Sequence, residues 1–368
     1  MAIEGRTIVV SAPDHARDVT NSPASNITAA GALYVFDRSG AGWIQTQKIV
    51  TIDRELGSWL GNSVSICGNN IIAGAWGGDY DANRGNRLEA AGAAYIFERT
   101  GGKWVQTQKL VAADRSPHDE FGFSVAISGD YAVVGARRVT ERKEDEHNGQ
   151  YTGNAYIFKR NGGGGWSQQM KINPDDRTKE DYLGAAVGIS GNYLIVSAPG
   201  QDTDSLGNYM ANAGAIYVYY LDTKGNWILS DKISTFLKHN LDGFGYAAAI
   251  SDCNIIGTSY IDQTDEEDKN AITNAGAGSI FTATGCNNDG RCSGRLFPWD
   301  KTPIDKQVKD SSNAKMPVKM QGPETNAKGN EVTIENQVLT DDTSKKTDES
   351  KKTKTDPVKK IKSLLKKN

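Results

Sequence analysis

The stretch Gly92-Ala-Ala-Tyr95-Ile-Phe97 decides the fold, because near-copies of it occur at a fixed step along the chain. Each copy is a glycine that opens a short apolar segment. The other copies are Gly31-Ala-Leu-Tyr34-Val-Phe36, Gly153-Asn-Ala-Tyr156-Ile-Phe158, Gly214-Ala-Ile-Tyr217-Val-Tyr219 and Gly276-Ala-Gly-Ser279-Ile-Phe281. The five glycines are separated by 61, 61, 61 and 62 residues. A constant step of this kind indicates a repeat architecture.

Other features keep the same step. A Phe-Gly or Leu-Gly pair precedes each copy after the first: Leu60-Gly61, Phe121-Gly122, Leu183-Gly184 and Phe244-Gly245. A short turn and a second apolar segment follow each pair. A tryptophan lies twelve or thirteen residues after each of the first four glycines: Trp43, Trp104, Trp166 and Trp227. Each unit is therefore predicted to contain four strands.

The third unit shows the expected strands, at 123–128, 131–136, 154–159 and 166–172. The turn Gly129-Asp130 joins the first two as a hairpin, which predicts an antiparallel meander. The middle strands are apolar on both faces, so something must cover each face. Radially arranged four-stranded blades meet that demand, and we expect an all-β fold, a β-propeller. An open β-solenoid or a split sandwich is the alternative.

These motifs resemble the FG-GAP repeat family, whose blades also form the propeller of integrin α-subunits. The resemblance covers residues 1–283, in four copies that are complete or nearly so and a fifth without a clear fourth strand. It implies a ligand-binding or adhesive platform, usually extracellular. Small residues such as Gly74-Ala75 are expected to let adjacent blades approach closely, and the tryptophans to fill space near the outer strands.

Five units are expected within residues 1–299, with approximate bounds 1–55, 56–117, 118–178, 179–239 and 240–299. The first thirteen residues align with 125–137, so the chain starts inside the first strand of a blade. Propellers with this motif usually have seven blades. Five blades close the ring, or the chain is a fragment, or a partner supplies the missing blades. An incomplete ring would leave two apolar blade faces unpaired.

Residues 300–368 have a different composition, with sixteen lysines, eleven acidic residues, no arginine and no aromatic residue. Such a segment buries too little apolar surface to offset its ordering entropy, so a disordered tail is expected. Within 356–368, apolar residues at helical spacing lie among lysines, which would allow a weak contact with an anionic membrane or a partner groove. A solvated polar tail is the alternative.

The long polar loops between second and third strands differ most between units, and recognition normally lies in such loops. Asp79, Asp81 and Asn83 alternate in one loop, and Asp202 and Asp204 in another. Oxygen ligands in this pattern can bind calcium. The D-x-D-x-D-G pattern of integrin-type propellers is absent, and solvated turn residues are the alternative. The pairs Asp53-Arg54, Asp114-Arg115 and Asp176-Arg177 are interpreted as local ion pairs or turn braces.

Cys286 and Cys292 flank a turn-forming Asn-Asp-Gly segment and could close a disulfide hairpin, or remain reduced. The four histidines have no metal-binding spacing, and no nucleophile elbow or phosphate-binding loop is present. We therefore expect a binding protein and no catalytic residues, although propeller enzymes can assemble sites from several blades.

Three functions are compatible with these features. The first is a non-enzymatic adhesion-type module that binds a protein or glycan through its inter-strand loops. The second is a propeller hydrolase or lyase with axis-facing carboxylates. The third is an intracellular scaffold tethered by the basic tail. Lysines without interleaved aromatics argue against sequence-specific nucleic-acid binding. Neither a signal peptide nor a transmembrane run is visible, so an extracellular location rests on the resemblance alone.

Overall fold

The computed structural model describes residues 1–40, 42–140, 151–204, 207–234, 241–252, 254–260, 277–286 and 292–300. The chain divides into two units, Met1–Asn313 and Ala314–Asn368, and every described residue lies in the first. The expected disordered tail, with its terminal contact segment, lies outside the described residues.

Within that part of the chain, twenty strands form five four-stranded antiparallel sheets, each a meander in chain order. Blade 1 contains β1 (Ala2–Glu4), β2 (Thr7–Ala12), β3 (Ala32–Ser39) and β4 (Gly42–Ile49). Blade 2 contains β5 (Val64–Cys67), β6 (Asn70–Ala75), β7 (Ala93–Thr100) and β8 (Lys103–Leu110). Blade 3 contains β9 (Phe121–Ser128), β10 (Tyr131–Ala136), β11 (Asn154–Arg160) and β12 (Trp166–Ile172).

The last two sheets repeat this plan. Blade 4 contains β13 (Val187–Ser190), β14 (Tyr193–Ala198), β15 (Ala215–Leu221) and β16 (Trp227–Ile233). Blade 5 contains β17 (Ala247–Ser251), β18 (Asn254–Ser259), β19 (Ala277–Cys286) and β20 (Cys292–Asp300). A single 3₁₀ turn, Pro23–Ser25, interrupts the β-structure described.

The structure confirms the predicted β-propeller and the strands of the third unit to within two residues. It also confirms that the chain starts in the first strand of a blade, since β1 pairs with β2. The expectation for the fifth unit was wrong, because β20 supplies a fourth strand paired with β19. The local pattern hid this strand, since its tryptophan, Trp299, lies much farther from the marker glycine than in the other units.

The core lies between consecutive blades. In blade 2, Tyr95 and Phe97 pack towards blade 1, in a cluster with Val9 and Val35. The opposite face of blade 2 packs through Ile72 and Ile96 against blade 3. Both faces of a middle strand are therefore buried, as their apolar composition predicts.

Glycines set the distance between blades. A methyl group on Gly74 would overlap the carbonyl oxygen of Gly122, the glycine of the next blade's Phe-Gly pair. The marker glycine Gly92 has φ +85° and makes a parallel bridge with Phe121. This positive φ favours glycine, and a methyl group here would overlap the backbone of Phe121. The predicted close approach at Gly74 is confirmed.

Glutamines join the outer strands. The Gln47 side-chain oxygen accepts from the Trp104 N–H at 2.8 Å, and its amide donates to the Trp104 carbonyl at 2.7 Å. Gln108 likewise accepts from the Trp166 N–H at 2.7 Å and donates to the Trp166 carbonyl at 2.8 Å in the next blade. The indole rings of Trp104 and Trp166 are buried, as expected for residues that fill space near the outer strands.

Candidate functional site

Each meander has two edges with different contents. The long loops between second and third strands, and the linkers between blades, emerge at one edge, which we call the loop edge. The tight turns that the structure describes lie at the other, the hairpin edge. Linkers and loops are bonded together: the Glu120 N–H donates to the Ala90 carbonyl at 3.1 Å, and the Tyr182 N–H to the Tyr151 carbonyl at 3.2 Å. The loop edge is therefore a continuous surface across blades.

The recurrent Asp-Arg pairs brace this surface. Arg115 donates to the carbonyls of Asn86 and Asp79, at 3.1 and 2.8 Å, in the long loop of the preceding blade. Arg177 donates in the same way to the Gly153 carbonyl at 2.8 Å. The arginines thus act as braces, as predicted. These hydrogen bonds go to the long loop of the preceding blade and not to the turn that contains the arginine.

The aspartates of these pairs belong to a repeated cluster, which is buried in blade 2 and partly exposed in blades 3 and 4. In blade 2, Lys109 Nζ lies 2.8 Å from Asp53 Oδ2 and 2.8 Å from Glu55 Oε1, and Tyr95 Oη donates to Asp53 at 3.1 Å. Burial is the main reason that the pKa of the Tyr95 hydroxyl is raised. In blade 3, Lys171 lies 2.8 Å from Asp114.

Blade 4 repeats the cluster with all three groups. Lys232 Nζ lies 2.7 Å from Asp176 Oδ2, and Tyr217 Oη donates to Asp176 Oδ1 at 2.9 Å. Sequence reasoning missed the lysines, although Lys48, Lys109, Lys171 and Lys232 follow one another at steps of 61, 62 and 61 residues. The cluster is a structural clamp, since its polar groups bond one another.

Asp79, Asp81 and Asn83 share one loop, as predicted, but the two carboxylates are engaged there. Asp79 Oδ1 accepts from the Ala90 N–H at 2.9 Å, and Asp79 Oδ2 lies 2.7 Å from Arg87 Nη2. Asp81 Oδ1 accepts from the N–H groups of Asn83 and Gly85, at 3.0 and 2.8 Å. These hydrogen bonds, that from Gly85 above all, lower the pKa of Asp81.

The second predicted pair is bonded in a similar way. Asp202 Oδ1 accepts from the Asn212 N–H at 2.8 Å, and the two oxygens of Asp204 accept from Asn208, at 2.9 and 3.0 Å. In the described ranges, no group of three or more His, Cys, Asp or Glu side chains is placed to hold a metal ion. Calcium binding in either loop stays a prediction.

The predicted disulfide lies in the hairpin of β19 and β20. The backbone register pairs Cys286 with Cys292 directly across this hairpin. The side chains of these two residues lie outside what the structure describes, so the disulfide stays a prediction. Cys67, in β5, is a free thiol.

Two buried aspartates lie beneath the loop edge. Burial raises the pKa of Asp119 to about 7 and that of Asp181 to about 6. Strongly shifted acids are often catalytic. Here Asp119 is only 2% exposed and Asp181 is fully buried. Each accepts a linker N–H at 2.7 Å, from Ser116 and Thr178 respectively. These contacts indicate that the two carboxyl groups stabilise the linker conformation.

Aromatic and arginine side chains lie at the loop edge of blades 2 to 5. We call this set the aromatic arc: Trp59, Trp76, Phe123, Arg137, Arg138, Tyr151, Tyr182, Tyr246 and Tyr260. Trp59 and Trp76 stack with ring centroids 5.8 Å apart and planes 17° apart. In blade 5, Tyr246 and Tyr260 lie 4.9 Å apart and are both exposed.

The arginines of the arc are held in place from below. Arg137 lies 3.5 Å above the Phe123 ring, and Arg138 lies 4.2 Å above the Tyr151 ring. Both guanidinium groups bind the buried carboxylate of Glu120, at 2.8 and 3.0 Å. Two cations thus share one buried anion.

Sequence reasoning missed this arc. The signal was present, because Trp76, Arg137, Pro199 and Tyr260 follow the small-residue end of each second strand at steps of 61, 62 and 61 residues. Trp59 lies in the linker, one residue ahead of the Leu-Gly pair, and has φ +57°.

No helix in the part of the chain that the structure describes has the length and apolar character needed to cross a bilayer. A search among curated proteins found no match to this sequence.

A family model described as FG-GAP repeat matches three segments, residues 43–97, 104–158 and 166–219. Each match runs from the fourth strand of one blade to the third strand of the next, so it spans a blade interface. The matched segments contain the Leu-Gly or Phe-Gly pair and the marker glycine of blades 2, 3 and 4. Together with the five meanders, they show that this chain is an FG-GAP repeat β-propeller.

Proposed function

We propose that this propeller is a non-enzymatic binding module that recognises a protein ligand through the aromatic arc. The observation that carries the proposal is the placement of aromatic and arginine side chains at the loop edge of blades 2 to 5, half-buried in blades 2 to 4 and exposed in blade 5. Tryptophan, tyrosine and arginine are enriched among the few residues that carry most of the binding energy of protein interfaces. The proposal includes an adhesive role of the kind implied by the resemblance to integrin α-subunits.

Preorganisation supports the same function. Arg137 and Arg138 are stacked on rings and bound to Glu120, so they lose little rotamer freedom when a ligand arrives. The carboxylates of Asp79 and Asp81 bond their own loop. They therefore serve to shape the rim of the binding surface.

The test is a selection of peptide-display and glycan libraries on the immobilised full chain, followed by affinity measurement with variants. We expect peptide ligands that lose at least about tenfold in affinity with Trp76→Ala or Arg137→Ala, since each removes a central contact. Asp130→Ala is the matched control. It changes an exposed residue in a tight turn at the hairpin edge, and should leave the affinity unchanged.

Two outcomes would contradict the proposal. One is a set of ligands whose affinity falls with Asp130→Ala and not with the arc variants, which would move the site to the hairpin edge. The other is enrichment of glycans alone, or turnover of a glycan by the wild-type chain, which would favour a lectin or an enzyme.

A further inference from the structure

Every blade of this array has two chemically different faces. The leading face packs on the preceding blade, and in blade 2 it carries Tyr95, Phe97 and Trp104. The trailing face packs on the following blade, and in blade 2 it carries Ile72 and Ile96. The same pairing of a trailing with a leading face occurs at all four interfaces between consecutive blades.

The trailing face of blade 5 is open. Ile256 and Ile280 are register partners in β18 and β19, as Ile72 and Ile96 are in β6 and β7. Their side chains are 42% and 37% exposed, whereas Ile72 and Ile96 are fully buried. The leading face of blade 5 is covered as usual, since Phe281 is buried in the interface with blade 4.

The leading face of blade 1 is open as well. Trp43 is 41% exposed, whereas its equivalents Trp104, Trp166 and Trp227 are 4%, 4% and 5% exposed. Tyr34 is half-buried, although its equivalent in blade 2 is covered. The five described blades therefore leave one open face of each kind.

A hydrogen-bond ladder along the first strands has matching ends. A side chain at the end of each first strand accepts from a backbone N–H in the first turn of the following blade. The Gly129 N–H donates to Cys67 Sγ at 3.3 Å, the Gly191 N–H to Ser128 Oγ at 3.2 Å, and the Asp252 N–H to Ser190 Oγ at 2.9 Å. The corresponding acceptor of blade 5 is Ser251, and the corresponding donor of blade 1 is Gly5. Both residues are exposed.

We propose that the trailing face of blade 5 docks on the leading face of blade 1 in a second copy of this chain. A second copy is the expected partner, because the two open faces carry side chains equivalent to those that the four internal interfaces bury. Docking would cover Ile256, Ile280 and Trp43 and would bring Ser251 to Gly5. A heterologous contact of this kind closes into a ring or continues as a filament, depending on the rotation between copies.

The experiment measures the molar mass of the full chain by sedimentation over a wide range of protein concentration. We expect mass to rise with concentration, and Ile256→Lys or Trp43→Glu to weaken association at least about tenfold. Both residues are exposed, so these variants should keep the wild-type fold, which circular dichroism and urea unfolding would check. Ile52→Lys changes a linker residue that is 83% exposed and should associate like the wild type.

Mixing the two face variants gives the sharpest result. Ile256→Lys keeps an intact leading face and Trp43→Glu keeps an intact trailing face. Their mixture should therefore form one-to-one dimers and nothing larger. A mixture that stays monomeric while the wild type associates would overturn the proposal. A wild-type chain that stays monomeric at all concentrations would also overturn it. Acrylamide quenching of Trp43 would then show whether this face is exposed in the monomer or covered by the same chain, and either result would count against docking between copies.

Discussion

Lys109 Nζ lies 2.8 Å from Asp53 Oδ2 and so ties the outer strand of blade 2 to the linker that leads into that blade. The same contact joins Lys171 to Asp114 and Lys232 to Asp176 in the next two blades. The first and last strands of a meander are not adjacent in its sheet, and this ion pair holds the last strand to the linker that precedes the first. It also lies under the loop edge, where it fixes the base of the candidate binding surface.

Lys109→Met should destabilise the propeller strongly. The substitution keeps the volume of the buried chain but leaves the carboxylates of Asp53 and Glu55 without their cation, which costs about 3 kcal/mol or more. Urea unfolding followed by tryptophan fluorescence would measure the loss. Lys103→Met, at an exposed position of the same strand, should change stability by less than about 0.5 kcal/mol. Equal effects of the two variants would show that the cluster contributes nothing beyond surface charge.

Gly74→Ala should destabilise by about 1–3 kcal/mol, because the added methyl group must push the Gly122 backbone of blade 3 away. Gly42→Ala is the control. Gly42 is also a strand glycine, its φ is not positive, and the space around it is empty. The midpoint of thermal unfolding should fall for Gly74→Ala alone. An unchanged midpoint would mean that adjacent blades separate without cost.

The buried Asp119 should make stability depend on pH. Its pKa in the folded protein, about 7, lies above the ordinary value of 3.8, so the folded state binds the proton more tightly than the unfolded chain. Its stabilising contribution is therefore complete below about pH 4 and is lost as pH rises through 7, at about 1.4 kcal/mol per pH unit. Asp119→Asn, which keeps an acceptor for the Ser116 N–H, should exceed wild-type stability at pH 8 and approach it near pH 4.5.

Urea midpoints of wild type and Asp119→Asn, measured every half pH unit, would test this. Asp130→Asn, at an exposed position, should follow the wild type throughout. Parallel curves for Asp119→Asn and wild type would show that this carboxyl titrates alike in the folded and unfolded states.

Calcium should have little effect on the loop at 79–83. A cation there would have to compete with Arg87 for Asp79 and with two backbone N–H groups for Asp81. We expect millimolar calcium to raise the unfolding temperature by no more than about 1 °C. A larger rise that disappears in Asp81→Asn would establish the metal site predicted from the sequence.

Cys286 and Cys292 should form a disulfide under oxidising conditions. Residues directly opposite in an antiparallel pair have Cα atoms about 4.5–5.5 Å apart, within the range that a disulfide spans. Mass spectrometry of a non-reduced digest should recover the two cysteines in one cross-linked peptide. A Cys67→Ser background removes the free thiol of β5 and the exchange it could cause. Recovery of Cys286 and Cys292 as separate peptides under those conditions would contradict the pairing.

Much of the fold could be predicted from the sequence, because a 61-residue step places equivalent residues in register and makes each strand visible several times. The strands around Tyr131 and Trp166 were predicted to within a residue or two for this reason. The fourth strand of blade 5 was missed because Trp299 does not keep the spacing. The repeat period and the apolar pattern thus suffice to locate the strands that keep the repeat spacing.

The site was less predictable. Lys109 and Asp53 lie 56 residues apart, and neither has a local pattern that names the other as its partner. Trp59 and Trp76 lie in segments that look like ordinary turns, and only the backbone geometry stacks their rings. The carboxylates of Asp79 and Asp81 were visible as oxygen ligands. Their hydrogen-bond and ion-pair partners could be identified only from the folded loop.

The glutamine pairs between outer strands have a consequence for biosynthesis. Gln47 offers its amide to Trp104 from a unit that is translated about sixty residues earlier, and Gln108 does the same for Trp166. Each blade leaving the ribosome would therefore meet a finished template on its upstream side. If each new blade packs on the preceding one as it is synthesised, the apolar face that awaits a partner on the downstream side is that of a single blade at any time.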